Sequence, residues 1–372
     1  MKVTLERAAL LRSLGHVHRV VERRNTIPIL SNVLLKAIDG EVRLRATDLD
    51  LEMTESLKAD VAQPGGVTVP AHTFYEIVRK LPDGAQILLD ATGDTGQLTL
   101  RAGRSRFNLQ TLPESDFPDL NAGTMTHQFE MAASDLKTLF EQSQFAISKE
   151  ETRYYLNGIY MHTLETDGMT QLRAVATDGH RLARIEMPAP KGSEGMSGII
   201  IPRKAVGEVL KLSEDGQAQV AIEIGTGKAR FTFGDVVLTT KLIDGTFPDY
   251  ARVIPASNTR RLIVERQSFV AAVDRVSTIS SERGRGVKIA IADNKMTLSV
   301  NNPDSGSASE EIEVDYDATP LEIGFNASYL MDIISQMHGD TTLFKLNDTG
   351  SAAVILDRDG AAALYVLMPM RV

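Results

Sequence analysis

Asp178, His180 and Arg181 stand within four residues of one another in the stretch ATDGHRLAR (176–184). A carboxylate that orients an imidazole beside a guanidinium is raw material for acid–base or nucleophilic catalysis. The rest of such a machine is missing from the chain. No G-x-S-x-G presents a serine on a strained turn, and no H-E-x-x-H offers paired metal ligands. No Gly-x-x-x-x-Gly-Lys loop could cradle phosphate, and there is no cysteine to act as nucleophile or zinc ligand. His16 and His18 sit two apart on an expected helix, where their side chains diverge. The frame also recurs 130 residues earlier as ATDLDLEM (46–53), without the histidine and arginine. A repeated structural turn with one decorated copy explains that pattern better than a catalytic pair does.

The elements that carry these turns repeat as well. Phe-Pro-Asp triplets begin at Phe117 and Phe247, again 130 apart. GVTVPAHTFYEIVRKLPDG (66–84) aligns with GIIIPRKAVGEVLKLSEDG (198–216) and more loosely with EIGFNASYLMDIISQMHGD (322–340). Each reads as a short strand, a turn, an amphipathic helix and an acidic turn. A second type of helix opens each third, with apolar faces at Leu10, Leu14, Val17 and Val21, at Leu136, Leu139, Phe140 and Ile147, and at Phe269, Val273 and Val276. Alternating stretches such as EVRLRAT, QLTLRA and MTLSV supply the strands between them. The expected fold class is α+β, with three repeated two-helix, multi-strand domains at 1–125, 126–255 and 256–372.

Composition narrows the partners. The net charge is −9 and tryptophan is absent, which argues against a strongly attractive nucleic-acid surface or an aromatic ligand box. The expected helices, 6–24, 71–81, 132–150, 203–213, 266–283 and 326–338, depart from that average. They hold fifteen lysines and arginines against ten aspartates and glutamates. Helices gathered on one side would give an acidic body a weakly basic lining. Such a lining binds DNA poorly by contact alone, so topology would have to hold the protein there. The opening MKVTLERAALLRSLG is interrupted by charge and unlike a secretory signal, and no apolar run approaches a membrane span. A reducing cytoplasm suits a chain without cysteine.

TIPILSNVLL, ATDLDLEM, GRSRFNLQTLPESDFPDL, RYYLNGIY, ATDGHRLA, IIPRKAV, KLIDGTFPDY, NNPDS, FNASYLMDI and YVLMPMRV occur in this order along the chain. Together they resemble the bacterial DNA polymerase III beta-subunit family of sliding clamps, from Met1 to Val372. The resemblance implies a head-to-tail homodimer, a six-domain ring around duplex DNA, with helices lining the hole and sheets forming the wall. It implies no catalytic activity and no cofactor. The partners implied are the replicative polymerase alpha subunit, the clamp loader, translesion polymerases, and mismatch-repair and replication-regulatory proteins carrying short linear motifs.

By the same resemblance the decorated turn belongs to a cleft that grips those motifs. Its residues would be Leu156, Thr177, Gly179, His180, Arg181 and Leu182, then Pro248, Arg252, Val253 and Tyr329, and finally Val366, Met368, Pro369 and Met370. Residue types alone allow either a buried edge strand filled by methionine or an adaptable apolar groove. His180 and the arginines could then fix a peptide's polar groups. Arg24, Arg79, Lys80, Arg203 and Lys204 would face DNA, with Tyr154 and Tyr155 near the rim, although the adjoining SKEET loop carries Glu150 and Glu151. Arg104, Arg106, Phe107 and Leu109 would form one edge of the dimer. Thr278, Ile279, Asp304 and Glu310 would form the other, where serine and glycine dilute the acidity. Two readings compete with the clamp: a hydrolase built on Asp178 and His180, and a repeat scaffold that binds proteins but not DNA.

Overall fold

The structure is a computed structural model describing residues 1–93, 96–120, 123–280 and 286–371. It packs as two units, residues 1–135 with 207–242, and residues 136–206 with 243–372.

In the first unit, an eight-stranded sheet runs in the order Met125–Ala132, Gln219–Gly225, Lys228–Phe233, Val236–Lys241, Leu51–Lys58, Glu41–Thr47, Asn32–Ile38 and Gly65–Pro70. Four strands come from the second repeat and four from the first. They meet where Val236–Lys241 pairs antiparallel with Leu51–Lys58, placing Leu238 opposite Met53. A five-stranded sheet, ordered Asp60–Gln63, Lys2–Glu6, Gln86–Asp90, Gln97–Ala102 and Ser105–Gln110, leaves Ser105–Gln110 as an edge.

The second unit follows the same plan. Its eight-stranded sheet is ordered Ile199–Pro202, Gly158–Thr166, Met169–Thr177, Arg181–Pro188, Ala363–Leu367, Ala353–Leu356, Thr341–Leu346 and Arg260–Glu265. The second and third repeats meet at the antiparallel pair Arg181–Pro188 and Ala363–Leu367, with Ala183 opposite Tyr365. A four-stranded sheet, Gly306–Glu313, Lys295–Asn302, Gly286–Ala292 and Leu321–Asn326, ends on the edge strand Gly306–Glu313. Because each seam is a continuous hydrogen-bonded ladder, packing follows the shared sheets and divides the second repeat.

Three hairpins mark equivalent points of the repeats. Asp39-Gly40, Asp167-Gly168 and Asp293-Asn294 all have positive φ, between 51° and 80°. Two successive left-handed residues make the tight turn whose twist matches paired strands, and Asp, Asn and Gly tolerate that conformation best.

Six α-helices complete the architecture among the described residues: α1 Arg7–Val17, α2 Ala71–Lys80, α3 Ala133–Gln144, α4 Arg203–Ser213, α5 Arg266–Ser277 and α6 Ala327–Ile334. The expected apolar faces are buried; Leu10, Leu14, Phe269 and Val273 have no exposed surface. Each such side chain contributes about 1.5–3 kcal/mol. Start signals are local. Glu265 accepts from the Gln267 and Ser268 amides, and Asn326 accepts from the Tyr329 amide.

Several helices are shorter than their periodicity suggested. After Val17 the chain tightens into i to i+3 turns, with Val20 N bonded to Val17 O and Val21 N to His18 O. His18 Nδ1–H donates to Leu14 O at 2.6 Å, giving that carbonyl a side-chain partner. The apolar face at Val20 and Val21 stays buried although the helix has ended. α3 stops at Gln144 and α6 at Ile334, while positions 281–283 of the expected fifth helix lie outside the described residues.

Candidate peptide cleft, basic helix ends and open sheet edges

The two Thr-Asp frames fold into the same turn. In the first, Thr47 Oγ1 donates to Leu51 O, and Asp48 Oδ1 accepts from the Asp50 and Leu51 amides. In the second, Thr177 Oγ1 donates to Arg181 O, and Asp178 Oδ1 accepts from the His180 and Arg181 amides at 3.0 Å. Asp178 therefore shapes a loop, its carboxylate bound by backbone, and is not the orienting acid of His180. Gly179 takes φ +89°, and a Cβ there would stand 2.7 Å from Arg153 Nη1. Both features favour glycine at the tip.

Around this turn the second unit brings several residues named for the cleft near one another. Leu156, Leu182 and Val366 join one buried cluster with Val175, Ile200, Phe247 and Tyr250. They form its floor. Val253 and Met368 are 54 % and 46 % exposed, and Pro248 is also exposed. Met368 N bonds to His180 O and Met370 N to Gly324 O, both at 2.9 Å. The terminal segment is thus tied at two points, with Pro369 between them. Exposed His180 faces Tyr329, the ring centroids 6.3 Å apart.

The two arginines differ from the expected pair of peptide contacts. Arg252 is 83 % exposed and, among the described residues, pairs with neighbouring Asp249, so it is available at the rim. Arg181 is 10 % exposed. It pairs with Asp178 at 3.1 Å and Asp332 at 2.5 Å, and donates to Phe145 O at 2.8 Å. Its guanidinium also lies 4.2 Å from the Tyr329 ring centroid. Arg181 fastens Tyr329 and α6 beside the turn; a ligand would meet the tyrosine it holds. Asp332 and Phe145 did not emerge from the sequence, because nothing local connects them to position 181.

Beneath the floor, Tyr250 Oη lies 2.9 Å from His162 Nε2 and accepts from Arg173 Nη1 at 3.2 Å. Burial, assisted by the charge of Arg173, holds His162 below its ordinary pKa, against the opposing bond to Thr163 O.

The expected DNA-facing residues occupy separate places. Arg24, Arg79 and Lys80 are exposed in the first unit, the latter two ending α2, where their charge suits the helix dipole. Glu76 pairs with Arg79 at 2.7 Å and reaches Lys80 at 3.9 Å. In the second unit Arg203 and Lys204 open α4, the end where cations are disfavoured by about 0.3–1 kcal/mol each. Residues that oppose local stability invite a functional explanation. Arg203 also donates to Ser148 O. Tyr154 is exposed, and its ring meets that of Tyr155, which packs against the cleft cluster.

The expected dimer residues border the edge strands Ser105–Gln110 and Gly306–Glu313. Arg104 occupies the turn before Ser105–Gln110, Arg106 projects from that strand and Phe107 is half-buried. Leu109, two residues on and on the same face of the strand as Phe107, is 8 % exposed. Thr278 caps α5, Ile279 O accepts from Asn302, and Asp304 lies in the turn before Gly306–Glu313. Glu310, on that edge, is gripped by Arg275 through both carboxylate oxygens, which lowers its pKa.

Among the described residues, no group of three or more His, Asp or Glu could hold a metal, and no helix is long and apolar enough to cross a membrane.

Comparison with known proteins matches this architecture along its whole length. Family models described as the N-terminal, central and C-terminal domains of the DNA polymerase III beta subunit cover residues 1–121, 130–249 and 251–371. The beta sliding clamp of Caulobacter vibrioides (strain NA1000 / CB15N) is 51 % identical over 372 residues, covering 100 % of both chains. That of Escherichia coli (strain K12) is 38 % identical over the same 372 residues, again covering 100 % of both. The crystal structure of the Bartonella birtlesii sliding clamp bound to griselimycin superposes with a TM-score of 0.97 at 54 % identity, covering 100 % of each chain. With three repeated clamp domains and full-length relatives of this similarity, the chain belongs to the DNA polymerase III beta subunit family of sliding clamps.

Proposed function

We propose that two copies of this chain associate head to tail into a ring around duplex DNA, as a non-catalytic processivity factor. The cleft at Leu182, Val253, Val366 and Met368 would tether polymerases and other replication and repair proteins through short peptides. The observation carrying the ring is a pattern of seams. At both internal junctions, the third strand after a repeat's first helix, Leu51–Lys58 or Arg181–Pro188, pairs with the last strand of the next repeat, Val236–Lys241 or Ala363–Leu367. The third residue of each strand meets the third residue of the other: Leu238 with Met53, and Tyr365 with Ala183.

Among the described residues, two strands of these types have no seam partner. They are Ser105–Gln110, of the last-strand type, and Gly306–Glu313, of the third-strand type. Applying the same rule between copies sets Phe107 opposite the partner's Ala308 and Ser105 opposite the partner's Glu310. Arg104 then stands beside that carboxylate, so charge reinforces the backbone ladder. Joining the edges also covers unpaired backbone that would otherwise invite aggregation.

Enclosure explains why the basic helix ends are few on a chain of net charge −9. Weak, sequence-independent phosphate contacts permit sliding, while closure prevents escape. Solution mass tests the assembly. Twice the chain mass at micromolar concentration is expected, and the mass of one chain would remove the basis for enclosure.

A further inference from the structure

A second repeated device lies behind the seams. His16, the tenth residue of α1, places Nδ1 2.7 Å from Glu55 Oε2 and Nε2 3.0 Å from Asp215 Oδ2. Glu55 lies on the seam strand of the same repeat, opposite Leu44. Asp215 belongs to the next repeat, in the turn after α4, thirteen residues counted from the start of that helix. The ring therefore bridges successive repeats on the helix side of the sheet. Gln142, the tenth residue of α3, also reaches the turn after α6, donating to His338 Nε2 at 3.1 Å, there the twelfth residue counted from the helix start.

Arg275 is the tenth residue of α5. It already makes the first half of the contact, because Glu310 lies opposite Leu298 as Glu55 lies opposite Leu44. The second half of the contact has no counterpart among the described residues. In a head-to-tail pair the next helix is the partner's α2. The thirteenth residue counted from its start is an aspartate, as at position 215. Asp83 has a side chain that is 95 % exposed and bonded to Arg7 through Oδ1. Arg275 is 60 % exposed. Both can accept another contact.

We infer that Arg275 bridges Glu310 of its own subunit and the partner's Asp83, making a helix-side ion pair behind each intersubunit ladder. This rests on the head-to-tail reading and adds a contact that the edge strands do not specify. Arginine suits the role because its planar fork can serve two carboxylates at once.

A double-mutant cycle in the full chain tests it. Arg275→Gln and Asp83→Asn should each weaken dimerisation about three- to tenfold, as partly exposed ion pairs do. The double variant should be no weaker than the worse single, whereas multiplying effects would overturn the pair. A second test uses the absence of native cysteine. A chain carrying Arg275→Cys and Asp83→Cys, treated with a short bis-maleimide, should yield covalent dimer. A sample that is dimeric by mass yet gives no intersubunit product would overturn the inference while leaving head-to-tail assembly standing. Wild type at the mass of one chain overturns both.

Discussion

Arg181 donates to Asp332 at 2.5 Å while its guanidinium lies 4.2 Å from the centre of the Tyr329 ring. One side chain from the decorated turn thus fixes both the helix bearing Tyr329 and the face that the tyrosine presents beside His180. Arg181→Ala should weaken a clamp-binding peptide at least fivefold and lower stability by about 1.5–3 kcal/mol, the scale of lost charged hydrogen bonds. Arg181→Lys should restore little, since an ammonium cannot reproduce three directed contacts and a stacked plane. Peptide titration and urea unfolding of both variants check this; full peptide affinity in Arg181→Ala would mean that Tyr329 needs no such support.

Removing Met368 to Val372 takes away exposed Met368 and the bonds to His180 O and Gly324 O. Peptide affinity should fall by roughly thirtyfold or more, because a lost apolar anchor commonly costs ~2 kcal/mol. The dimer mass should not change, since Ser105–Gln110 and Gly306–Glu313 retain their sequence. Titration of a labelled polymerase-derived peptide against both proteins distinguishes the outcomes; equal binding would place the cleft elsewhere.

Arg104→Glu combined with Arg106→Glu should shift the assembly toward single chains, by repulsion against acidic Glu310 and Glu311 and by disturbance beside Phe107. High salt should weaken the wild-type dimer in the same direction, since exposed pairs are screened. Light scattering over a dilution series reads both effects. An unchanged dimer in the reversed-charge variant would exclude this edge.

His162 supplies a pH dependence. Its folded-state pKa lies below the ordinary 6.5 because burial disfavours the charged ring. The unfolded chain therefore takes up more proton as pH falls past that value, so stability declines on acidification and is full above it. His162→Gln keeps a polar group near Tyr250 without titrating. The melting temperature of this variant should fall less between about pH 7.5 and pH 5.5 than that of wild type. Parallel curves would assign the acid sensitivity to other groups.

Much of the frame was legible because local rules met no competition. α4 spans residues 203–213 as expected, with Pro202 before it and an apolar face at Val206, Val209 and Leu210. Other elements depended on long-range context. α1 was read too long because Val20 and Val21 continue its apolar face after the backbone has changed to tighter turns. Gly306–Glu313 has the sequence GSASEEIE, too polar to announce a strand, yet it forms a complete ladder with Lys295–Asn302.

The candidate cleft divides in the same way. The Thr-Asp turn was visible as a repeat, whereas the grouping of Leu156, Val366 and Met368 came through family resemblance. Arg181, too, enters the cleft by family resemblance, and its residue type suits a ligand contact. Its actual partners, Phe145 and Asp332, lie 36 and 151 residues away, where no pattern reaches. Exchange of hydrogen bonds across repeats is a property of the fold and has no local signature.

In the proposed ring, enclosure and not affinity keeps this protein on DNA, with Arg24, Arg79, Lys80, Arg203 and Lys204 making only weak phosphate contacts. The most direct measurement loads the protein onto a nicked circular plasmid with a clamp loader, removes free protein, and then cuts the plasmid once. Retention on the uncut circle and rapid loss from the linear product are predicted, with retention persisting in salt that abolishes ordinary phosphate binding. Equal retention on circular and linear DNA would contradict the account, because contacts alone would then be sufficient to hold it.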